Sequence, residues 1–187
     1  MQFTLHVLHI DESTAAGLSP EAAEAARVRV AAAAAPYCQP GVAFHCIPLD
    51  AVFEEEAEGA GTSLLGSIGI GGSGSSGGGA SPATAERQRE RLAALLAAVR
   101  DPTGRADLAR HLRTRLLLRC AAALGCGRVA RGDSSTALAT HIVAAASKGC
   151  GYSLAGDVRL VDARQAGMMR VAAHGAFRAA CSRVSTF

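Results

Sequence analysis

Eighteen of the nineteen basic residues in this chain are arginines, and few of its other residues fall into patterns that could do chemistry. The strongest local signal is the run Arg131-Gly132-Asp133-Ser134-Ser135-Thr136. A glycine at the carboxyl end of a parallel strand, then hydroxyl and carboxylate groups opening a helix, makes the polar edge at which α/β sheets bind ligands. The free backbone N–H groups and partial positive charge of a helix N-terminus suit phosphate. The plainer alternative is that Asp133 or Ser134 simply caps the helix. A second group is cationic. Arg110, Arg113, Arg115 and Arg119 recur along one predicted helix, and Arg128 and Arg131 flank the strand that follows it. A guanidinium grips phosphate oxygens with two parallel hydrogen bonds and stacks on exposed bases, which makes these six the candidate polyanion contacts. With only seven aromatic residues in the chain, phosphate contact should dominate over base stacking and be strongly salt-dependent.

Charge is unevenly spread. The formal net charge is +3, yet residues 1–83 carry −7 and residues 84–131 carry +7. A basic segment following an acidic one suggests a surface for a polyanion. The competing reading is a solvated face in an arginine-biased composition, since only one of the nineteen basic residues is a lysine.

Other chemistry is poorly supported. His6, His9 and His45 sit on predicted strands and read as hydrogen-bonded core or strand-end histidines, while His111 and His141 belong to helices. The six cysteines, at 38, 46, 120, 126, 150 and 181, form no Cys-x-x-Cys pair and lack zinc-ribbon spacing. They read as small apolar residues in a reducing compartment, so disulfides are not expected. Cys120, beside Arg119, is the best nucleophile of the six, with a core position the stronger reading. Gly69, Gly71 and Gly74 spell G-x-G-x-x-G, and residues 74–78 spell G-x-S-x-G, but a serine-glycine run provides neither the strand nor the helix that those motifs need. The Glu54-Glu55-Glu56 run reads as solvated loop. No metal site is expected, and no apolar stretch approaches the length of a membrane span.

Positioning these groups requires a regular framework. Residues 3–10 read as a strand covered on both faces, ending in Asp11-Glu12-Ser13. Ser19, Pro20 and Glu21 then open an alanine-rich helix that Pro36 stops, and residues 42–47 form a second strand closed by Pro48. Strand, helix and strand make a βαβ unit. Residues 54–83 are a Gly/Ser-rich linker within the domain. A helix with Leu92, Leu95, Leu96 and Val99 inward follows Pro82. Asp101-Pro102-Thr103-Gly104 reads as a break, and the longer helix after it carries Leu108, Leu112, Leu116 and Cys120 in one row and ends at Gly125. Residues 128–131 form a short strand, and the next helix turns Leu138, Ile142 and Val143 inward before Gly149. Residues 158–161 suggest an edge strand, and residues 163–187 show no convincing element.

The segment Leu116–Cys126, followed by Arg128-Val129-Ala130-Arg131-Gly132-Asp133-Ser134-Ser135-Thr136-Ala137-Leu138-Ala139, resembles the cytoplasmic tRNA 2-thiolation protein 2 family. His6–Ser13 with Gly17–Glu21 looks like that family's second strand and following helix, and Phe44–Phe53 like its third strand and exit. The resemblance covers about residues 3–160. It implies an α/β fold with a mostly parallel, Rossmann-like sheet of the adenine nucleotide alpha-hydrolase (PP-loop ATPase) kind, in a single domain over 1–160 with a poorly defined tail over 161–187.

The resemblance also implies a cytoplasmic, non-catalytic subunit that pairs with a catalytic thiolase and binds tRNA. The pair would place sulfur, delivered by a ubiquitin-related carrier, on the wobble uridine. In active relatives the stretch aligned with Gly132–Ala139 carries paired acids, which here are Thr136 and Ala137. The family's phosphate loop should precede the point at which this chain begins, so the sequence looks N-terminally incomplete. Asp11, Gly132, Asp133, Ser134 and Thr136 are therefore expected to be a nucleotide-site remnant with no catalytic residue, no cofactor and no ATP hydrolysis. Two alternatives stay open: a small autonomous nucleotide-binding enzyme of the PP-loop class using Asp11, Asp133 and Ser134, and a protein-interaction module unrelated to tRNA.

Overall fold

A computed structural model describes residues 4–38, 40–54, 82–132, 134–158, 161–165 and 168–172. Most of the Gly/Ser-rich linker (55–81), both glycine patterns within it, Asp133, and residues 173–187 of the expected tail lie outside the described residues. The architecture is mixed α/β and mostly helical. The chain divides into two compact units, Met1–Leu124 and Gly125–Phe187.

In the first unit, β1 (Leu5–Asp11), α1 (Pro20–Ala34) and β2 (Val42–Pro48) form the expected βαβ unit. The strands pair in parallel, from Leu5 opposite Val42 to Asp11 opposite Pro48. Ser19 caps α1 by accepting the Ala22 N–H at 3.3 Å, and Pro20 supplies the preset first turn. A 3-10 turn, Leu49–Phe53, continues directly from β2. Next come α2 (Pro82–Ala98) and α3 (Pro102–Ala123), the latter capped by Asp101, whose carboxylate accepts the Gly104 N–H at 2.7 Å. Gly125, at φ +66°, follows α3 in the left-handed conformation that glycine adopts without a Cβ clash.

The core of this unit sits where β2 runs into its turn. Ile47, Leu49, Ala51 and Val52 meet Leu92 of α2 and Leu116 and Cys120 of α3, with Leu8 and Ile10 of β1 packed against them. Each large aliphatic side chain removed from water here contributes about 1.5–3 kcal/mol. Two expectations need correction. Leu95 is 37% exposed, while Gln88, one turn before Leu92, is buried. The expected stripe is therefore rotated, with a polar residue taking an inner position. β1 is not covered on both faces along its length: Leu5 and Val7, on the side opposite Leu8 and Ile10, are exposed.

The second unit holds β3 (Arg128–Arg131), α4 (Ser135–Ser147), α5 (Gly151–Asp157), β4 (Val161–Gln165) and β5 (Met168–Ala172). The sheet order is β3-β5-β4, parallel between β3 and β5 and antiparallel between β4 and β5. The strand expected at 158–161 thus starts only at Val161, and β4 and β5 occupy a region expected to lack elements. In α4 the buried position is Ala145, whereas Ile142 and Val143 are exposed, contrary to expectation. Alanine on every face of this helix leaves the few larger side chains without the contrast that would fix its inner side. No helix among the described residues is long and apolar enough to cross a membrane.

Candidate nucleic-acid interface

Asp11 ends β1 and is buried. Its Oδ1 accepts the backbone N–H of Ser13 at 2.9 Å and also the Ser13 hydroxyl. Its Oδ2 accepts from Arg27 of α1 at 3.1 Å, and Arg27 is itself held by Glu24. Burial pushes the Asp11 carboxyl up, but the Ser13 hydrogen bonds and Arg27 outweigh it and hold the group below its ordinary 3.8. Both oxygens are engaged within the fold. Asp11 acts as a strand-end anchor.

The other described members of the expected nucleotide-site remnant lie in the second unit. Ser134 caps α4, its hydroxyl accepting the Ala137 N–H at 3.2 Å, which is the plainer of the two readings of this stretch. Thr136 is exposed, and its carbonyl accepts the Thr140 hydroxyl at 2.9 Å. Gly132 is exposed, and a Cβ built on it would meet nothing within 4 Å. Among the described residues, nothing in its surroundings therefore demands a glycine.

The arginines separate by what they touch. Arg119 donates from Nη1 to the Val52 carbonyl and from Nη2 to the Glu54 carbonyl, both at 2.8 Å. It fastens α3 to the turn after β2. Arg113 grips Glu12 with two donors, the Nη2 bond measuring 2.7 Å. Arg110 and Arg131 are half-buried. Arg115 on α3 and Arg128 at the start of β3 are exposed. Glu54 is buried, so it is not part of a solvated acidic run; Glu55 and Glu56 lie outside the described residues.

Sequence reasoning missed the environment of Asp50. This residue is only 2% exposed, and its Oδ1 finds no hydrogen-bond partner among the described residues. Its Oδ2 lies 3.6 Å from Nε of Arg89 on α2. Burial raises the carboxyl above its ordinary value, with its own backbone N–H and then Arg89 opposing. On the same turn Phe53 lies under the Arg91 guanidinium, 5.5 Å from the ring centre. The only available signal was an acid two residues after a strand-ending proline, which is no guide to burial.

The remaining groups are structural in their settings. His6 and His45 stack with ring centres 5.3 Å apart and share a 3.1 Å contact between Nδ1 and Nε2. Cys120 is fully buried, and burial pushes its thiol up to about 11, which keeps it protonated and unreactive. Among the described residues no group of three or more His, Cys, Asp or Glu side chains is placed to hold a metal ion.

Comparison with known proteins adds what the geometry cannot. The Arabidopsis thaliana protein named cytoplasmic tRNA 2-thiolation protein 2 is 43% identical over 76 residues, covering 41% of this chain and 17% of the relative. The Homo sapiens protein of that name is 39% identical over 80 residues, covering 43% of this chain and 16% of the relative. The Bos taurus protein of that name is 29% identical over 195 residues, covering 88% of this chain and 38% of the relative. This chain thus spans well under half the length of the relatives it matches. No protein-family model matches it. No solved structure matches it. Its likeness, carried first by the strand, helix-start and G-D-S-x-T residues and then by these alignments, is to the cytoplasmic tRNA 2-thiolation protein 2 family.

Proposed function

We propose that this chain takes part in cytoplasmic tRNA 2-thiolation as a non-catalytic subunit that contacts tRNA beside a catalytic thiolase. The observation that carries the reading is the sequence likeness to relatives bearing that one name. The reading takes residues 1–160 as one adenine nucleotide alpha-hydrolase-like, PP-loop-type domain, with its sulfur arriving by way of a ubiquitin-related carrier that the partner engages.

Local chemistry agrees with a subunit that does not activate a nucleotide itself. Asp11 spends both oxygens on Ser13 and Arg27, and Ser134 spends its hydroxyl on a helix cap. Among the six arginine candidates Arg115 and Arg128 are exposed, and Arg113 keeps 43% of its side chain exposed while paired with Glu12. On this reading they meet tRNA phosphates, while Arg119 serves the fold.

The test is tRNA retention by the full chain across a salt series, comparing Arg115→Ala and Arg128→Ala with the parent. Each lost phosphate contact lowers the salt slope by about one unit and weakens binding. Parent-like slope and affinity in both variants would place the RNA elsewhere. Absence of salt-dependent tRNA binding in the parent chain would overturn the tRNA reading itself.

A further inference from the structure

We infer that Glu12 is an internal stand-in for phosphate on Arg113, an autoinhibitory contact that RNA must displace. The inference rests on the tRNA reading above and deepens it by naming how one contact of that surface is regulated. Arg113 offers Nε to one Glu12 oxygen and Nη2 to the other, the second bond being 2.7 Å. This two-pronged arrangement is the one a guanidinium makes with phosphate, so a phosphodiester and the Glu12 carboxylate compete for one geometry.

Three features of this pair matter beside the Arg27 and Arg119 contacts already described. It joins residues 101 positions apart, so the fold places the carboxylate there, unlike the Arg27–Glu24 pair at three positions within α1. It stays open to solvent, with 43% of the Arg113 side chain and 32% of the Glu12 side chain exposed, whereas Asp11 opposite Arg27 is 8% exposed. Incoming phosphate can therefore reach the fork without unfolding anything. Lastly, its acceptor is a side chain that can swing aside, whereas Arg119 is tied to backbone carbonyls. Solvent-exposed ion pairs add little to stability, so exchanging this one costs the fold little.

Glu12 also adjoins Asp11, whose bonds to Ser13 and Arg27 hold the strand exit in place. The backbone at Glu12, whose carbonyl also accepts the Ala16 N–H at 2.9 Å, is thus anchored while its carboxylate reaches across to α3. A ligand with a single phosphate gains little by exchanging one anion for another. A ligand that engages neighbouring cations at the same time can overcome the exchange, so the device favours dense, extended polyanions.

The experiment is a double-mutant cycle on the full chain, with anisotropy of a labelled tRNA transcript read across a salt series. Glu12→Gln keeps the side-chain shape and removes the competing charge. It should tighten tRNA binding about five- to tenfold at low salt, roughly 1–1.4 kcal/mol by the usual conversion. Arg113→Gln in the Glu12→Gln background should abolish that gain and lower the salt slope by about one unit. Parent-like affinity in Glu12→Gln, in a chain that does bind tRNA, would overturn the inference and leave the tRNA reading intact. A gain that persists after Arg113→Gln would reduce the effect to general loss of negative charge, and would overturn it equally. If neither parent nor Glu12→Gln binds tRNA with salt dependence, the tRNA reading fails and takes the inference with it. Thermal unfolding of Glu12→Gln within a few degrees of the parent would confirm that the affinity change is not a folding effect.

Discussion

Where β1 ends, a buried carboxylate is fully supplied with donors; where β2 ends, a few residues away across the sheet, another is not. Asp11 receives the Ser13 N–H, the Ser13 hydroxyl and Arg27. Asp50, just after β2, has one oxygen without a partner among the described residues and the other at 3.6 Å from an arginine that is itself 57% exposed. The two exits therefore stabilise the fold by different means. The first uses its acid as the fastener. The second is fastened around its acid, by Leu49 and Val52 in the core and by Arg119 on the carbonyls of Val52 and Glu54. A buried charge contributes only when its partners outweigh the cost of leaving water, and position at the end of a strand does not guarantee that.

The largest effect should come from breaking the second fastener. Arg119→Ala removes two charge-assisted hydrogen bonds and leaves two carbonyls without them, for a loss of about 3 kcal/mol in urea unfolding. Arg119→Lys should recover less than half, because a single ammonium cannot reproduce a planar fork reaching two carbonyls. An alanine variant as stable as the parent would mean that the turn is held by its apolar contacts alone.

Removing charge at the first exit should be milder and still costly. Asp11→Asn should destabilise by about 1–2 kcal/mol at neutral pH, since an amide answers Ser13 and Arg27 poorly. The pH sense follows from its lowered value. Stability contributed by Asp11 is present above the ordinary 3.8 and is lost as pH falls through the lower folded value, so the variant should lose that acid-limb dependence.

The smallest effect, and the most telling, is expected at Asp50. Its raised value means that the folded chain holds the proton more tightly than the unfolded one. Its contribution to stability therefore rises as pH falls from neutral through that raised value toward the ordinary 3.8. Asp50→Asn should flatten this rise and match or exceed the parent by up to about 1 kcal/mol at neutral pH. A clear destabilisation at neutral pH would show that the Arg89 contact outweighs burial, and the contrast between the two exits would collapse.

Much of the framework was legible because it is written locally. Ser19 and Ser134 announce helix starts, whereas Asp101-Pro102-Thr103-Gly104 reads as a break although Asp101 caps α3 there, and Gly125 and Gly149 follow helix ends with positive φ as glycine allows. The Leu112–Leu116–Cys120 row identified the inner side of α3 because large apolar side chains alternate there with arginines. Illegible were the partners. Glu12 with Arg113 and Val52 with Arg119 are 101 and 67 positions apart, and no spacing rule links such residues. The arginines of α3 look alike in sequence for this reason, although the fold ties Arg119 to backbone carbonyls and pairs Arg113 with a solvent-open carboxylate. The seven-residue α5 was missed because Cys150, at its start, makes no side-chain cap and the segment is too short to show a period.

Cys120 carries a consequence of its own. With no exposed surface and a thiol raised to about 11, it presents roughly one thiolate in a thousand even at pH 8, and none of it reaches solvent. Alkylating reagents therefore meet this sulfur only when Leu116 and Leu92 part from the β2 turn. Cys38, exposed after the short turn that follows α1, faces the reagent continuously. The chain thus carries its own clock and its own zero. The rate at which the buried sulfur is labelled, measured against the exposed one, counts how often the core of the first unit comes open.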